Sequence, residues 1–178
     1  MRLDSDLLAR LRDELVHAGR LSTIPPPERA AVRQSDADRT ALAERVSPLC
    51  EVLYLLMVAD AEQHLDERSL LRGAVRALTD GALPDASIAA MVARFEATLA
   101  RHGRDERLVQ VTGQLAADRQ DAEAAFTLAA VMAIADARTE AQEEALLAEL
   151  RELLGISAVR ARTLLGEARN SLRAPPPV

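Results

Sequence analysis

An apolar run that closes on Ala-Asp-Ala occurs twice in this chain, and the repeat limits the fold more than any other feature. The first run holds Val52, Leu53, Leu55, Leu56, Met57, Val58 and Ala59 ahead of Asp60; the second covers residues 126–135 ahead of Asp136. An offset of 76 residues carries Asp60 onto Asp136. Without a gap it also makes Ala59/Ala135, Ala61/Ala137, Glu67/Glu143, Leu70/Leu146, Leu71/Leu147 and Leu78/Leu154 identical. Alanine and leucine coincide cheaply in a chain this rich in them, so the Asp and Glu matches, in register with the apolar positions, carry more weight. Each copy reads as a buried helix, a short acidic turn and an amphipathic helix.

The scarcity of large rings points the same way. Only 2% of the 178 residues are aromatic, with no Trp, one Tyr and two Phe, although 49% are apolar and 28% charged. The core must be Leu, Val, Met and above all Ala. These residues favour helix, because alanine loses no side-chain entropy there and straight chains lose little. Sheets draw on β-branched and aromatic residues that are sparse here. The expectation is an all-α fold, a duplicated helical bundle of about seven to nine helices, with a length that suits one ordinary domain.

Periodicity and capping signals place the elements. Leu3, Leu7, Leu8, Leu11, Leu15 and Val16 predict an amphipathic helix over about 5–18, followed by a stiff Pro25-Pro26-Pro27 linker. A polar stretch to about residue 45 holds at most one more short helix. Next come the first apolar helix, a helix from about Asp66 to Asp80-Gly81, one capped by Asp85 and ending at His102-Gly103, and a short one around Leu108, Val109, Val111 and Leu115. The second apolar helix precedes a Thr139/Gln142 capping box and a helix through Leu153. Gly155 closes that helix, and Ser157 caps a last one to about Arg173. The chain thus divides into an N-terminal helix and linker (1–45), a duplicated helical domain (46–173, copies about 46–103 and 121–173) and a disordered tail (174–178).

Charge and motifs narrow the function. The net charge is −6, every basic residue is Arg, and these are interleaved with acids. Nucleic acid is not an expected ligand, since it needs a basic face or aromatic platforms. Cys50 is the single cysteine, so no intramolecular disulfide forms, and its apolar neighbours make it a small buried hydrophobe. The N-terminus lacks the apolar core of a signal peptide. The longest apolar run, 124–135, falls short of the roughly 20 residues a bilayer requires. A cytoplasmic protein is expected, with peripheral membrane contact and an unidentified protein partner left open. His17, His64 and His102 form no His-Glu-x-x-His pattern, and neither a phosphate loop nor a Gly-x-Ser-x-Gly elbow is present. The protein is expected not to be an enzyme.

The acidic turns remain to be explained. Asp60 and Asp136 end apolar helices, where the helix dipole disfavours a carboxylate. Glu62, His64, Asp66 and Glu67 follow the first, and Arg138, Glu140, Glu143 and Glu144 the second. On one account the aspartates accept backbone N–H bonds across the turn, and Glu67 and Glu143 sit in a first turn that welcomes anions. On the other, Asp60 with Glu67 and Asp136 with Glu143 hold a hard divalent cation, Ca²⁺, Mg²⁺ or Mn²⁺, with Glu62, His64 and Glu140 as further donors. His64 would tilt the choice toward a transition metal, although Zn²⁺ suits the oxygen-rich set less well. An EF-hand is excluded. Counted from Asp60, its glycine position holds Leu65 and its bidentate glutamate position holds Leu71.

At these residues the chain resembles the TerB family of tellurite-resistance-associated helical proteins. That family's hallmark is an Ala-Asp-Gly turn after an apolar helix, with a glutamate seven residues beyond the aspartate, present twice. Here the elements are Val58-Ala59-Asp60-Ala61-Glu62 with Glu67, and Ile134-Ala135-Asp136-Ala137 with Glu143. The resemblance spans about 46–170. It implies a duplicated all-α bundle linked to tellurite and stress resistance, and divalent-cation binding by Asp60, Glu67, Asp136 and Glu143. Ala61 and Ala137 stand where the family has glycine, which strains the turn if it needs a positive φ. Arg138 would neutralise the second set of acids from within. The alternative to a cation-binding protein is a helical interaction scaffold whose acids only cap helices and hold no metal.

Overall fold

The first apolar run belongs to a longer helix than its own leucines require. The computed structural model describes residues 12, 13, 15, 35–58, 64–135 and 140–173, with the backbone alone at 64–70, 135, 140 and 173. In it α1 (Asp36–Met57) starts ahead of the apolar run and passes unbroken through Pro48. Its start is fixed by a reciprocal cap: Ser35 N–H donates to Asp38 Oδ2 at 2.9 Å and Asp38 N–H to Ser35 Oγ at 3.2 Å. Leu42, Val46, Leu49, Cys50 and Leu53 then follow at helical spacing, each at most 2% exposed. Residues 36–45 of the polar stretch are therefore the first part of α1, with Leu42 already in the core. Burial pushes the Cys50 thiol up to about 12, consistent with a structural role.

Six more helices follow, and no strand occurs among the described residues: α2 (His64–Leu78), α3 (Asp85–His102), α4 (Arg104–Leu115), α5 (Arg119–Ala135), α6 (Glu140–Leu153) and α7 (Ala158–Arg173). Like α1, α5 begins ahead of its apolar run. Asp118 caps it, with Oδ1 accepting from Gln120 N–H at 2.7 Å and Asp121 N–H at 3.2 Å. Most of the expected ends hold, with two changes of detail. Pro84 takes the N-cap of α3, while Asp85 is its first helical residue and pairs with Arg76. On α4, Leu108, Val111 and Leu115 are buried but Val109 is 56% exposed.

The two apolar helices form the centre. Helix α1 packs on α2, α3, α4 and α5, and α5 packs on α1, α4, α6 and α7. Ala122, Ala124, Ala125, Ala129, Ala130 and Ala133 are all buried along α5, so neighbours sit close to its backbone while Phe126, Leu128 and Val131 supply volume. Tyr54 of α1 and Phe95 of α3 bring their rings to 5.8 Å between centroids, which concentrates the scarce aromatic surface at one contact.

Helices α2 and α6 stop in the same way. Gly81 N–H bonds Arg76 C=O at 2.9 Å and Asp80 N–H bonds Ala77 C=O at 3.3 Å; at α6, Ile156 and Gly155 repeat the pair onto Arg151 and Glu152. The left-handed residue of the second stop is Gly155 (φ 66°), whereas the first has two, Gly81 (φ 70°) and before it Asp80 (φ 53°), which lacks glycine's freedom. A contact from far along the chain compensates. Arg12 lies 2.8 Å from Asp80 Oδ1 and donates to Ala77 C=O at 3.0 Å, and Leu15 beside it is only 3% exposed in the core. The rest of the expected 5–18 helix, the Pro25–Pro27 linker, Thr139 of the expected capping box and the tail 174–178 lie outside the described residues.

Candidate metal centre

Each candidate set brackets the gap between an apolar helix and the next. Val58 closes α1 by donating its N–H to Tyr54 C=O at 3.0 Å, and α2 opens at His64. Helix α5 ends at Ala135 and α6 opens at Glu140. Glu67 and Glu143 are each the fourth residue of their helix, where exposed N–H groups and the dipole favour an anion. Asp60, Glu62 and Asp136, together with Arg138, lie outside the described residues, and of His64, Glu67 and Glu140 the backbone alone is placed.

Glu143 is the candidate whose side chain is placed. It is mostly covered, with 19% of the side chain exposed, and Oε1 lies 3.9 Å from Nη2 of Arg169 on α7. The Arg169 side chain is 55% exposed, so this is a long, loosely held pair. A carboxylate in this place has oxygens of the kind a hard cation takes, but here it faces a cation the protein itself supplies. Among the described residues no group of three or more His, Cys, Asp or Glu stands where it would hold a metal ion.

Two further carboxylates, in neither acidic turn, lie deeper. Glu51 of α1 is 4% exposed; Arg107 of α4 grips it through Nε at 2.5 Å and Nη2 at 2.8 Å. Glu123 of α5 is 5% exposed; Arg160 of α7 holds it through Nε at 2.9 Å and Nη2 at 2.5 Å, and Arg119 adds a bond to Oε1 at 3.0 Å. Bonding to Arg160 lowers the Glu123 pKa, burial opposes that shift, and Arg119 adds to it. These acids fasten α1 to α4 and α5 to α7, and their oxygens are committed to guanidinium donors. Their hint in the sequence is a glutamate among apolar neighbours, Cys50-Glu51-Val52 and Ala122-Glu123-Ala124; Arg119 stands four residues before Glu123, but Arg107 and Arg160 become visible as partners only with the tertiary arrangement.

The profile of the family described as Tellurite resistance protein TerB matches residues 47–164. The chain belongs to the TerB family. The matched span runs from the middle of α1 to the middle of α7 and includes residues 60–67 and 136–143. No curated protein and no solved structure matches the chain. Membership ties this TerB protein to a family associated with tellurite resistance. Among its described residues no helix is long and apolar enough to cross a membrane.

Proposed function

We propose that this TerB protein is a non-enzymatic, duplicated helical bundle that binds a divalent cation at its acidic turns as part of a cytoplasmic stress response. The observation that carries the proposal is the family match over 47–164, which includes residues 60–67 and 136–143 together. Duplication is supported by helix register. The offset of 76 that superposes Asp60 on Asp136 also superposes the first residue of α2, His64, on the first residue of α6, Glu140. Asp60 and Glu67 would supply the oxygens of the first site, with Glu62 and His64 beside them; Asp136, Glu143 and Glu140 would form the second. Oxygen donors of this kind suit Ca²⁺, Mg²⁺ or Mn²⁺. Because Arg169 already faces Glu143, the first site is the tighter of the two. The same contact favours the scaffold alternative at the second turn, where an internal cation would do what a metal does at the first.

Thermal unfolding of EDTA-stripped protein, titrated with Ca²⁺, Mg²⁺, Mn²⁺ and Zn²⁺, tests this. A ligand that binds only the folded state raises Tm with its concentration above Kd. A saturable rise with one of the oxygen-preferring ions, lost in Asp60→Asn, is expected. Superimposable melts at millimolar ion would leave the acids as helix caps and direct the search to a protein partner.

A further inference from the structure

Two of the bundle's cavities, both lined by described residues, differ in charge. The smaller, about 170 Å³, lies among α1, α3 and α4. Arg94 and Arg107 line it, but so do Glu44 and Glu51, so its charges cancel. The larger, about 370 Å³, lies where the start of α5 meets the α6–α7 turn. Its walls include Ala122, Leu154 and Ile156, and its charged lining is Arg119, Arg160 and Glu123. Two guanidinium groups against one carboxylate leave an excess positive charge in a protein whose net charge is −6.

The geometry shows which guanidinium is surplus. Arg160 meets both oxygens of Glu123 and so bonds the buried acid on each side. Arg119 repeats the contact on Oε1 through Nε at 3.0 Å, and its side chain is 83% exposed. Only the acid's side of this pair is buried, so Arg119 gives Glu123 a second contact while its own side chain stays open to solvent at the mouth. Outside the lining, Asp118 caps α5 and Glu167 acts on Arg160. The volume lies at the small end of the roughly 300–1,000 Å³ typical of ligand sites, which combine apolar walls with a few placed polar groups.

We propose that this cavity binds a small organic monoanion, a carboxylate with a short apolar chain, with Arg119 as its charged contact and Ala122, Leu154 and Ile156 around the chain. The site is separate from the acidic turns and does not depend on a metal there. Amide chemical shifts of the isotope-labelled full chain would be followed while hexanoate is added, with hexylamine and inorganic phosphate as controls. Hexanoate is expected to give saturable shifts at Ala122, Gly155 and Ile156, with hexylamine giving none. Arg119→Glu, a change at an exposed position, should weaken hexanoate binding at least about tenfold, a difference of about 1.4 kcal/mol, while leaving the rest of the spectrum in place. Absence of saturable shifts at millimolar hexanoate would overturn the proposal, as would unchanged affinity in Arg119→Glu. Phosphate binding as tightly as hexanoate would overturn the assignment to a carboxylate with an apolar chain.

Discussion

Glu51 in α1 and Glu123 in α5 are almost equally closed to solvent, at 4% and 5%, yet the protein neutralises them differently. Glu51 depends on one guanidinium, Arg107, which arrives from α4. Glu123 has two, Arg160 from α7 and Arg119 one turn earlier on its own helix. The acidic turns after the same two helices differ in the same sense. Arg169 faces Glu143 in the second, and Arg138 lies nearby in sequence, whereas the residues after Asp60 add acid and no arginine before Arg68. The second acidic turn thus has arginines close to it, whereas the sequence of the first adds only acid before Arg68.

That contrast can be broken by mutation. The largest effect is expected for Arg107→Ala, which leaves Glu51 buried and unpaired. A loss of about 3 kcal/mol in chemical unfolding is expected, the lower end for a broken buried pair because Arg107 is itself 20% exposed. Arg160→Ala should cost less, about 2 kcal/mol, because Arg119 still reaches Glu123; equal losses would show that the second guanidinium does nothing for the buried acid. Acid titration sharpens the comparison. The folded pKa of Glu123 is lowered, so its contribution to stability is present above the ordinary Glu value of about 4.3 and is lost as pH falls through the folded value. Stability of Glu123→Gln should therefore fall less steeply than wild type below that pH. The smallest effect is expected at the chain's start. Arg12→Ala removes the contacts to Ala77 C=O and Asp80 and should cost about 1 kcal/mol, with Asp80→Gly partly restoring it by relieving the left-handed strain.

How much of this was legible in the sequence depended on how local each cause was. The stops at His102-Gly103 and Gly155, and the Ser157 cap, rest on contacts within a few residues, and the structure places them where the pattern does; the stop at Asp80-Gly81 has the same local bonds with Arg12 added from far along the chain. The first half of α1 was not legible, although Leu42, Val46, Leu49 and Leu53 are spaced for a helix, because Pro48 and the charged residues around Leu42 mimic a break. Asp85 looked like a cap because an acid opens the helix; Pro84 holds that place, and Asp85 pairs instead with Arg76 of α2. The spacing to Asp136 singles out Glu143 as a candidate, but its contact with Arg169 depends on where α7 packs against the bundle, which no local pattern shows. Glu51 and Glu123 are hidden for the same reason: the guanidinium that meets both oxygens of each arrives from another helix, and Arg119, four residues before Glu123, reads in the sequence as an ordinary surface pair.

The inequality of the two turns is the central claim, and ion stoichiometry tests it most directly. Calorimetric titration of EDTA-stripped wild type, Asp60→Asn and Asp136→Asn with Ca²⁺, Mg²⁺ and Mn²⁺ would count the ions and locate them. We predict that one ion binds tightly per chain, that Asp60→Asn abolishes this event, and that Asp136→Asn leaves it in place. Absence of a saturable heat in wild type, or an event lost in Asp136→Asn and kept in Asp60→Asn, would contradict it.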